Sequence, residues 1–240
     1  MKQWLLLDTA AVDEDPATLR LFQRDDAFSI RLASGGELMN SNAHGSEQAL
    51  ATLVCAALDG RQRPRVLIGG LGLGYTLRAA LDALASDATV VVAELFAAVV
   101  TWNSGPLAHL AGHPLQDPRV KVVVADVADV LRASAKGGDD GRWDAVLLDV
   151  DNGPDGLTTD ENRALYSDSG LRTTAAALRS GGKLGVWSAK DDRQFTRRLA
   201  AAGLAVETHT SRARQGGRGS RHTLFVGTAR RGALAKPATS

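Results

Sequence analysis

The sequence predicts an α/β protein in which a parallel sheet is covered by helices, closed by an antiparallel hairpin and preceded by a small β unit. Three observations carry this. Val- and Leu-rich runs recur through the middle of the chain with room for a helix between neighbours. The last two apolar runs have no such interval and are joined by a Gly/Arg-rich stretch. Residues 1–42 read instead as short β runs broken by turn residues.

Composition agrees with a soluble globular protein. The 240 residues are 44% hydrophobic and 23% charged, with 25 Gly, 7 Pro and a net charge of +1, which excludes a disordered tail or a fibre. At 25.2 kDa the chain forms one large α/β domain, alone or with a small appendage. Cys55 is the single cysteine and sits in an apolar helical pattern, so a buried thiol and a reducing, cytoplasmic setting are expected. The N-terminal MKQWLLLD has four apolar residues before Asp8, too few for a secretory segment, and no apolar run reaches the roughly 18 residues that span a bilayer.

Taken in order, QWLLLDTA, TLRLFQRD and AFSIRLASGGELMN read as short strands with turns at Asp25-Asp26 and Gly35-Gly36. A helix follows, with the stripe Ala49, Leu50, Leu53, Val54, Ala57 and Leu58, Ser46 as its N-cap and Gly60 at C′. RVLIGG (65–70), TVVVAE (89–94), VKVVVAD (120–126), DAVLLDV (144–150) and KLGVWSA (183–189) read as parallel strands buried on both faces. Leu77, Ala80, Leu81 and Leu84 give one intervening helix its inward stripe. GLAVETHTS and HTLFVGTAR form the hairpin around a loop at 212–221. Five parallel strands ending in such a hairpin make the pattern of the class I S-adenosylmethionine-binding, Rossmann-like seven-stranded fold, with other doubly wound sheets still open. The α/β domain is expected over 43–229 and a disordered tail over 230–240.

In VLIGGLGLGYTLRAAL, a strand runs into Gly70, Gly72 and Gly74 and then a helix, an arrangement that lets backbone approach a ligand facing a helix N-terminus. A tight turn without a ligand is the competing reading. A dinucleotide fingerprint is excluded because Tyr75 stands where its third glycine belongs, and no phosphate-binding GxxxxGK[ST] follows a strand. Glu94 ends the second parallel strand, where a carboxylate accepts both hydroxyls of a ribose, as in other nucleoside-binding folds. Asp126 ends the third, placed either for an adenine amino group or as a helix N-cap.

The fourth strand ends LLDVDNGPDG, which puts Asp149, Asp151 and Asn152 beside the reacting end of such a ligand. Carboxylates there stabilise a sulfonium and orient or deprotonate an amine, so Asp149 and Asp151 are the candidate catalytic pair and Asn152 a cofactor contact. A calcium loop fits poorly, because Asp160 stands where its twelfth-position Glu belongs, and no metal is expected.

Together these segments resemble the spermidine synthase (polyamine aminopropyltransferase) family over roughly residues 27–228. VLIGGLGLGYTLR is similar to that family's V-L-x-I-G-G-G-D-G-G-x-x-R loop, with Ile68 where many methyltransferases carry an acid. DPRVKVVVADV, WDAVLLDVDNGP and LRSGGKLGVWS are similar to D-P-R-V-x-V-x-x-x-D, Y-D-V-I-x-x-D-S-S-D-P-x-G-P and L-x-x-G-G-x-x-x-x-Q. The resemblance implies a class I fold binding decarboxylated S-adenosylmethionine or S-adenosylmethionine, with Glu94 on the ribose, Asp126 on the adenine and Asp149 in the place of the family's base.

The departures lie on the amine side. Gly72 or Leu73 replaces the acid of the glycine loop, Ser34 replaces the aspartate before Gly35, and the family's aromatic-His-Glu triplet has no clean match, with His44, Glu47 and Gln48 near its place. Fewer carboxylates than a polyamine site needs are therefore expected. Three functions follow: aminopropyl transfer to a small amine, methyl transfer on the same scaffold, or a non-catalytic nucleoside-binding relative. Residues 1–60 hold 4 Lys/Arg against 9 Asp/Glu, and residues 190–240 hold 11 against 3. The basic stretch 212–221 leaves a nucleic-acid partner open, against the lack of interleaved aromatic residues. A homodimer is expected, because the apolar N-terminal strand needs an edge to pair with.

Overall fold

Alternation in the N-terminal strands buries Leu19 and Leu21 and leaves Arg20 in solvent, so one face of this sheet seeks an apolar partner. The computed structural model describes residues 3–12, 15–150, 164–214 and 218–230. In it β1 (Leu5–Val12), β2 (Asp15–Arg24), β3 (Ala27–Leu32) and β4 (Glu37–Asn40) form a four-stranded antiparallel meander. Its buried face joins the main hydrophobic core, and Trp102 Nε1 donates to Asp8 Oδ2 at 2.7 Å to tie β1 to the rest.

The seven-stranded sheet has the order β10-β11-β9-β8-β5-β6-β7. Parallel strands β5 (Arg65–Gly69), β6 (Thr89–Glu94), β7 (Val120–Val124), β8 (Trp143–Leu148) and β9 (Leu178–Ser188) are followed by the antiparallel hairpin β10 (Leu204–Arg214) and β11 (Arg218–Ala229). Helices α1 (Gly45–Ala56), α2 (Tyr75–Ala83), α3 (Ala97–Ser104), α4 (Val127–Lys136), the single turn α5 (Gly138–Gly141), α6 (Asp168–Ala176) and α7 (Arg193–Ala201) supply the outer layers. The pleat divides two cores. Val66, Ile68, Ala145 and Leu147 face α1, α2 and the N-terminal sheet, while Leu67, Val146 and Leu148 face α4, α6 and α7.

Four expectations are corrected. β7 is the edge of its sheet, not a strand buried on both faces, and exposes Val123 and Val124, because a Val-rich run does not distinguish a central from an edge position. The hairpin strands continue to Arg214 and resume at Arg218, so Arg212 and Arg221 face one another across a ladder instead of lying in a loop. Helix α1 begins two residues early, with His44 in the N-cap position, so Ser46 lies inside the first turn and is fully buried. Its C-cap is Ala57, and Gly60 takes φ +77° in the turn beyond. The tail 231–240 lies outside the described residues. Among the described residues, no helix is long and apolar enough to cross a membrane.

Candidate active site

The chain leaves β5, passes to β6 and β7 on one side, and returns to β8 on the other, so β5 marks the switch point where open α/β sheets bind ligands. The glycine loop lies there. Gly70 takes φ +88°, and a Cβ on it would sit 2.5 Å from the Asp149 carbonyl oxygen, so only glycine lets β5 turn this close to β8. Gly72 has φ +54°, and Gly74 has φ +83° in the N-cap position of α2 with no side chain capping the helix.

Glu94 is 6% exposed. The Leu71 N–H donates to its Oε2 at 2.8 Å and the Phe96 N–H to its Oε1 at 2.9 Å, and the Gly72 and Leu95 amides also face the carboxylate, which locks it in place. Burial pushes its pKa up against the pull of those amides. Asp126 does two jobs: its Oδ1 caps α4 by accepting from the Ala128 N–H at 2.8 Å, while its side chain borders the central cavity. Asp149 follows β8, and its Oδ2 accepts from Thr76 Oγ1 of α2 at 2.5 Å. Desolvation raises the Asp149 pKa, partly opposed by that hydroxyl. Asp151 and Asn152 lie outside the described residues.

Gly70, Gly72, Glu94, Asp126 and Asp149 share a cavity of about 320 Å³, whereas Gly74 is not part of its lining and packs against Asn103, Ala111 and Pro114. The strand ends and the glycine loop form its floor, and Leu19, Ile30, Leu32, Leu38 and Met39 of the N-terminal sheet form an apolar roof. Sequence reasoning missed several of its walls. Glu47, in the first turn of α1, borders the cavity with its pKa pushed up to about 7, chiefly by burial and then by Asp149. Glu37 of β4, Trp187 of β9 and His222 of β11 line it as well. The only sequence signal for Glu47 was its place near the family's helix triplet, and for Trp187 its place at the Gln of the L-x-x-G-G-x-x-x-x-Q segment; for His222 there was none, because strand pairing alone brings it to α1. Glu37, Glu47, Glu94, Asp126 and Asp149 give the cavity five carboxylates, with no Lys or Arg among its described lining. Glu37 and Glu47 thus add to the three carboxylates that the sequence places at the strand ends. Among the described residues no group of three or more His, Cys, Asp or Glu is placed to hold a metal ion.

No protein-family model matches the chain. The architecture is a Rossmann-like, methyltransferase-type α/β fold with a separate antiparallel N-terminal sheet added. A spermidine synthase from Thermotoga maritima superposes with a TM-score of 0.68 over 93% of this chain and 72% of that one, at 16% identity. A spermidine synthase in complex with the transition-state analogue AdoDATO gives the same values. Human methyltransferase-like protein 13, in complex with SAH, superposes with a TM-score of 0.53 over 80% of this chain and 82% of that one, at 20% identity. In sequence, the chain is 33% identical over 137 residues to a polyamine aminopropyltransferase of Corynebacterium efficiens. That match covers 57% of this chain, which spans about a quarter (25%) of the relative's length.

Proposed function

We propose that this chain is a transferase that moves an aminopropyl group from decarboxylated S-adenosylmethionine to a small cationic amine. One observation carries the choice: the cavity is lined by five carboxylates and by no Lys or Arg among its described residues. A ligand carrying ammonium or sulfonium charge gains from such walls, whereas a ligand carboxylate meets only like charge. The Glu94 carboxylate at the cavity wall suits a ribose diol, and Asp126, which caps α4 through Oδ1, suits an adenine amino group through Oδ2, so the residues present fit the nucleoside. The sulfonium co-substrate supplies the electrophilic carbon and a neutral thioether leaving group.

Asp149 holds the acceptor amine and takes its proton as the new C–N bond forms and the C–S bond breaks, with the electron pair leaving on sulfur. Desolvation makes this carboxylate a stronger base, and Thr76 fixes its rotamer. The apolar roof excludes water and strengthens these charge interactions. A homodimer is part of the proposal, since β1 is the outer strand of its sheet and exposes Leu5, Leu6 and Leu7; sedimentation of a monomer at micromolar concentration overturns that part.

Methyl transfer is the second reading, favoured by Gly72 and Leu73 where the family's loop carries an acid. Calorimetry with the two co-substrates separates the two. Decarboxylated S-adenosylmethionine is expected to bind at least about tenfold more tightly, or roughly 1.4 kcal/mol, and tighter binding of the carboxylated form overturns the proposal. With a diamine, methylthioadenosine should form, and Asp149→Asn should slow its release roughly 100-fold or more. Binding without any turnover would leave a nucleoside-binding protein.

A further inference from the structure

Ser46 is fully buried in the first turn of α1, yet its hydroxyl meets three polar groups from three elements. Its Oγ lies 2.8 Å from Glu47 Oε2, 2.8 Å from His222 Nδ1 and 3.0 Å from Trp187 Nε1. A hydroxyl has one hydrogen and two lone pairs. The indole N–H can only donate, so it takes one lone pair. Ser46 must then donate to Glu47 and accept from His222, or accept from Glu47 and donate to His222. The first arrangement requires a Glu47 Oε2 free of a proton, which ionisation of the carboxyl ensures, and a His222 protonated on Nδ1. The second requires a protonated Glu47 and a His222 protonated on Nε2.

We propose that Glu47, Ser46 and His222 form a proton relay that drains the cavity of the proton released by the acceptor amine. The relay's purpose rests on the transfer reaction proposed above, whereas the coupling of the three groups belongs to the free protein. In the forward step the Glu47 carboxyl proton passes from Oε2 to Ser46 Oγ as the Ser46 hydroxyl proton passes to His222 Nδ1. The imidazolium then loses its proton from Nε2, leaving the Glu47 carboxylate, an intact hydroxyl and a neutral imidazole, so one proton has crossed from Glu47 to the far side of His222. Glu47 is recharged from Asp149, which faces the same cavity and interacts with it electrostatically.

The surroundings suit this task. His222 is half-buried, so its ring keeps partial contact with solvent, and it packs edge-on against Trp187 at 4.6 Å, which sets the ring plane. The titratable groups facing the row are Asp149 at the end of β8 and Tyr75 of α2, whose ring stacks on His44 at 4.0 Å. β9 contributes only Trp187, and the neighbour of His222 toward the turn, Arg221, is exposed. Burial lowers the His222 pKa, so the imidazole is neutral near pH 7, where Glu47 titrates at about 7.

Nitrogen-15 NMR of the free protein's imidazoles between pH 5.5 and 8.5 tests the relay, with His222→Gln assigning the resonance. The expected result is a change of His222 tautomer across the Glu47 titration, Nδ1–H above it and Nε2–H below. Glu47→Gln, whose amide can donate to Ser46, should hold the Nε2–H form throughout. Ser46→Ala should abolish the response, and Glu47→Gln still tests the coupling if the alanine variant does not fold. A tautomer that ignores pH in the unaltered protein, or a response that survives Ser46→Ala, overturns the relay. In turnover assays Ser46→Ala should lower kcat near pH 7 by about tenfold with KM little changed. Absence of any product, with the tautomer response intact, defeats the proposed reaction and leaves the coupling standing.

Discussion

At the scale of single residues, the site is built from side chains that each satisfy a structural demand and keep something for a ligand. Glu94 pins the glycine loop through the Leu71 N–H and borders the cavity, and Asp126 caps a helix with one oxygen. Their positions at strand ends were legible in the sequence because a carboxylate closing an apolar run marks where the strand leaves the core. Gly70 was legible for a related reason, and its demand is severe: at φ +88° a side chain is strained, and its Cβ would strike the Asp149 carbonyl. Gly70→Ala should lose at least about 2 kcal/mol of stability in urea titration and abolish calorimetric nucleoside binding; near-native values of both would remove the close approach as an explanation. Glu47 was not legible. Its placement depends on α1 starting at Gly45 instead of after Ser46, which puts Glu47 third in the helix and not first.

At the scale of elements, β8 shows why the strands could be found and their surroundings could not. Its six residues are all buried, so the apolar run gave its position, and the sequence placed its outgoing end at the site. Its incoming end depends on partners far away in the chain. Asp144 accepts from Arg61 Nη1 at 2.6 Å, Arg179 Nη1 at 2.8 Å and the Arg65 N–H at 2.8 Å, joining the segment before β5 to β9 across β8. Nothing in the spacing of these residues announces the cluster. Asp144→Asn keeps the shape and removes the charge, leaving two arginines short of a partner. Because the arginine side chains keep 34% and 26% of their exposure, the loss should lie below that of a fully buried pair, at about 2–3 kcal/mol in chemical denaturation. A change under about 0.5 kcal/mol would mean that solvent replaces the carboxylate. The same limit explains β7 and the hairpin, whose composition was clear while edge position and ladder length depend on the rest of the sheet.

At the scale of the whole molecule, a cavity walled by carboxylates must be held together while it has no cation to hold. Burial raises the pKa of Glu47 from 4.5 to about 7, and raises those of Asp149 and Glu94 as well. A carboxyl whose pKa rises on folding binds its proton more tightly in the native state, so stability is greatest below the unfolded value and declines as pH climbs toward the folded one. For Glu47 that window runs from about 4.5 to about 7 and corresponds to roughly 3 kcal/mol. Asp117 has the opposite sign, since its hydrogen bond to Arg119 lowers its pKa from 3.8 to about 2, but its contribution is lost only as pH falls through that lower range; His222, lowered from 6.5 by burial, offsets part of the Glu47 trend, which the rises at Asp149 and Glu94 reinforce. The ligand-free protein should therefore melt at lower temperature at pH 8 than at pH 5. A cationic amine stabilises what ionisation destabilises, so a saturating diamine should raise Tm more at pH 8 than at pH 5. Glu47→Gln should flatten both dependences in a fluorimetric melt. A Tm that rises through this window, or a diamine shift indifferent to pH, would mean that the charge on these walls is balanced by something other than the ligand, and the cavity would lose its claim to a cationic substrate.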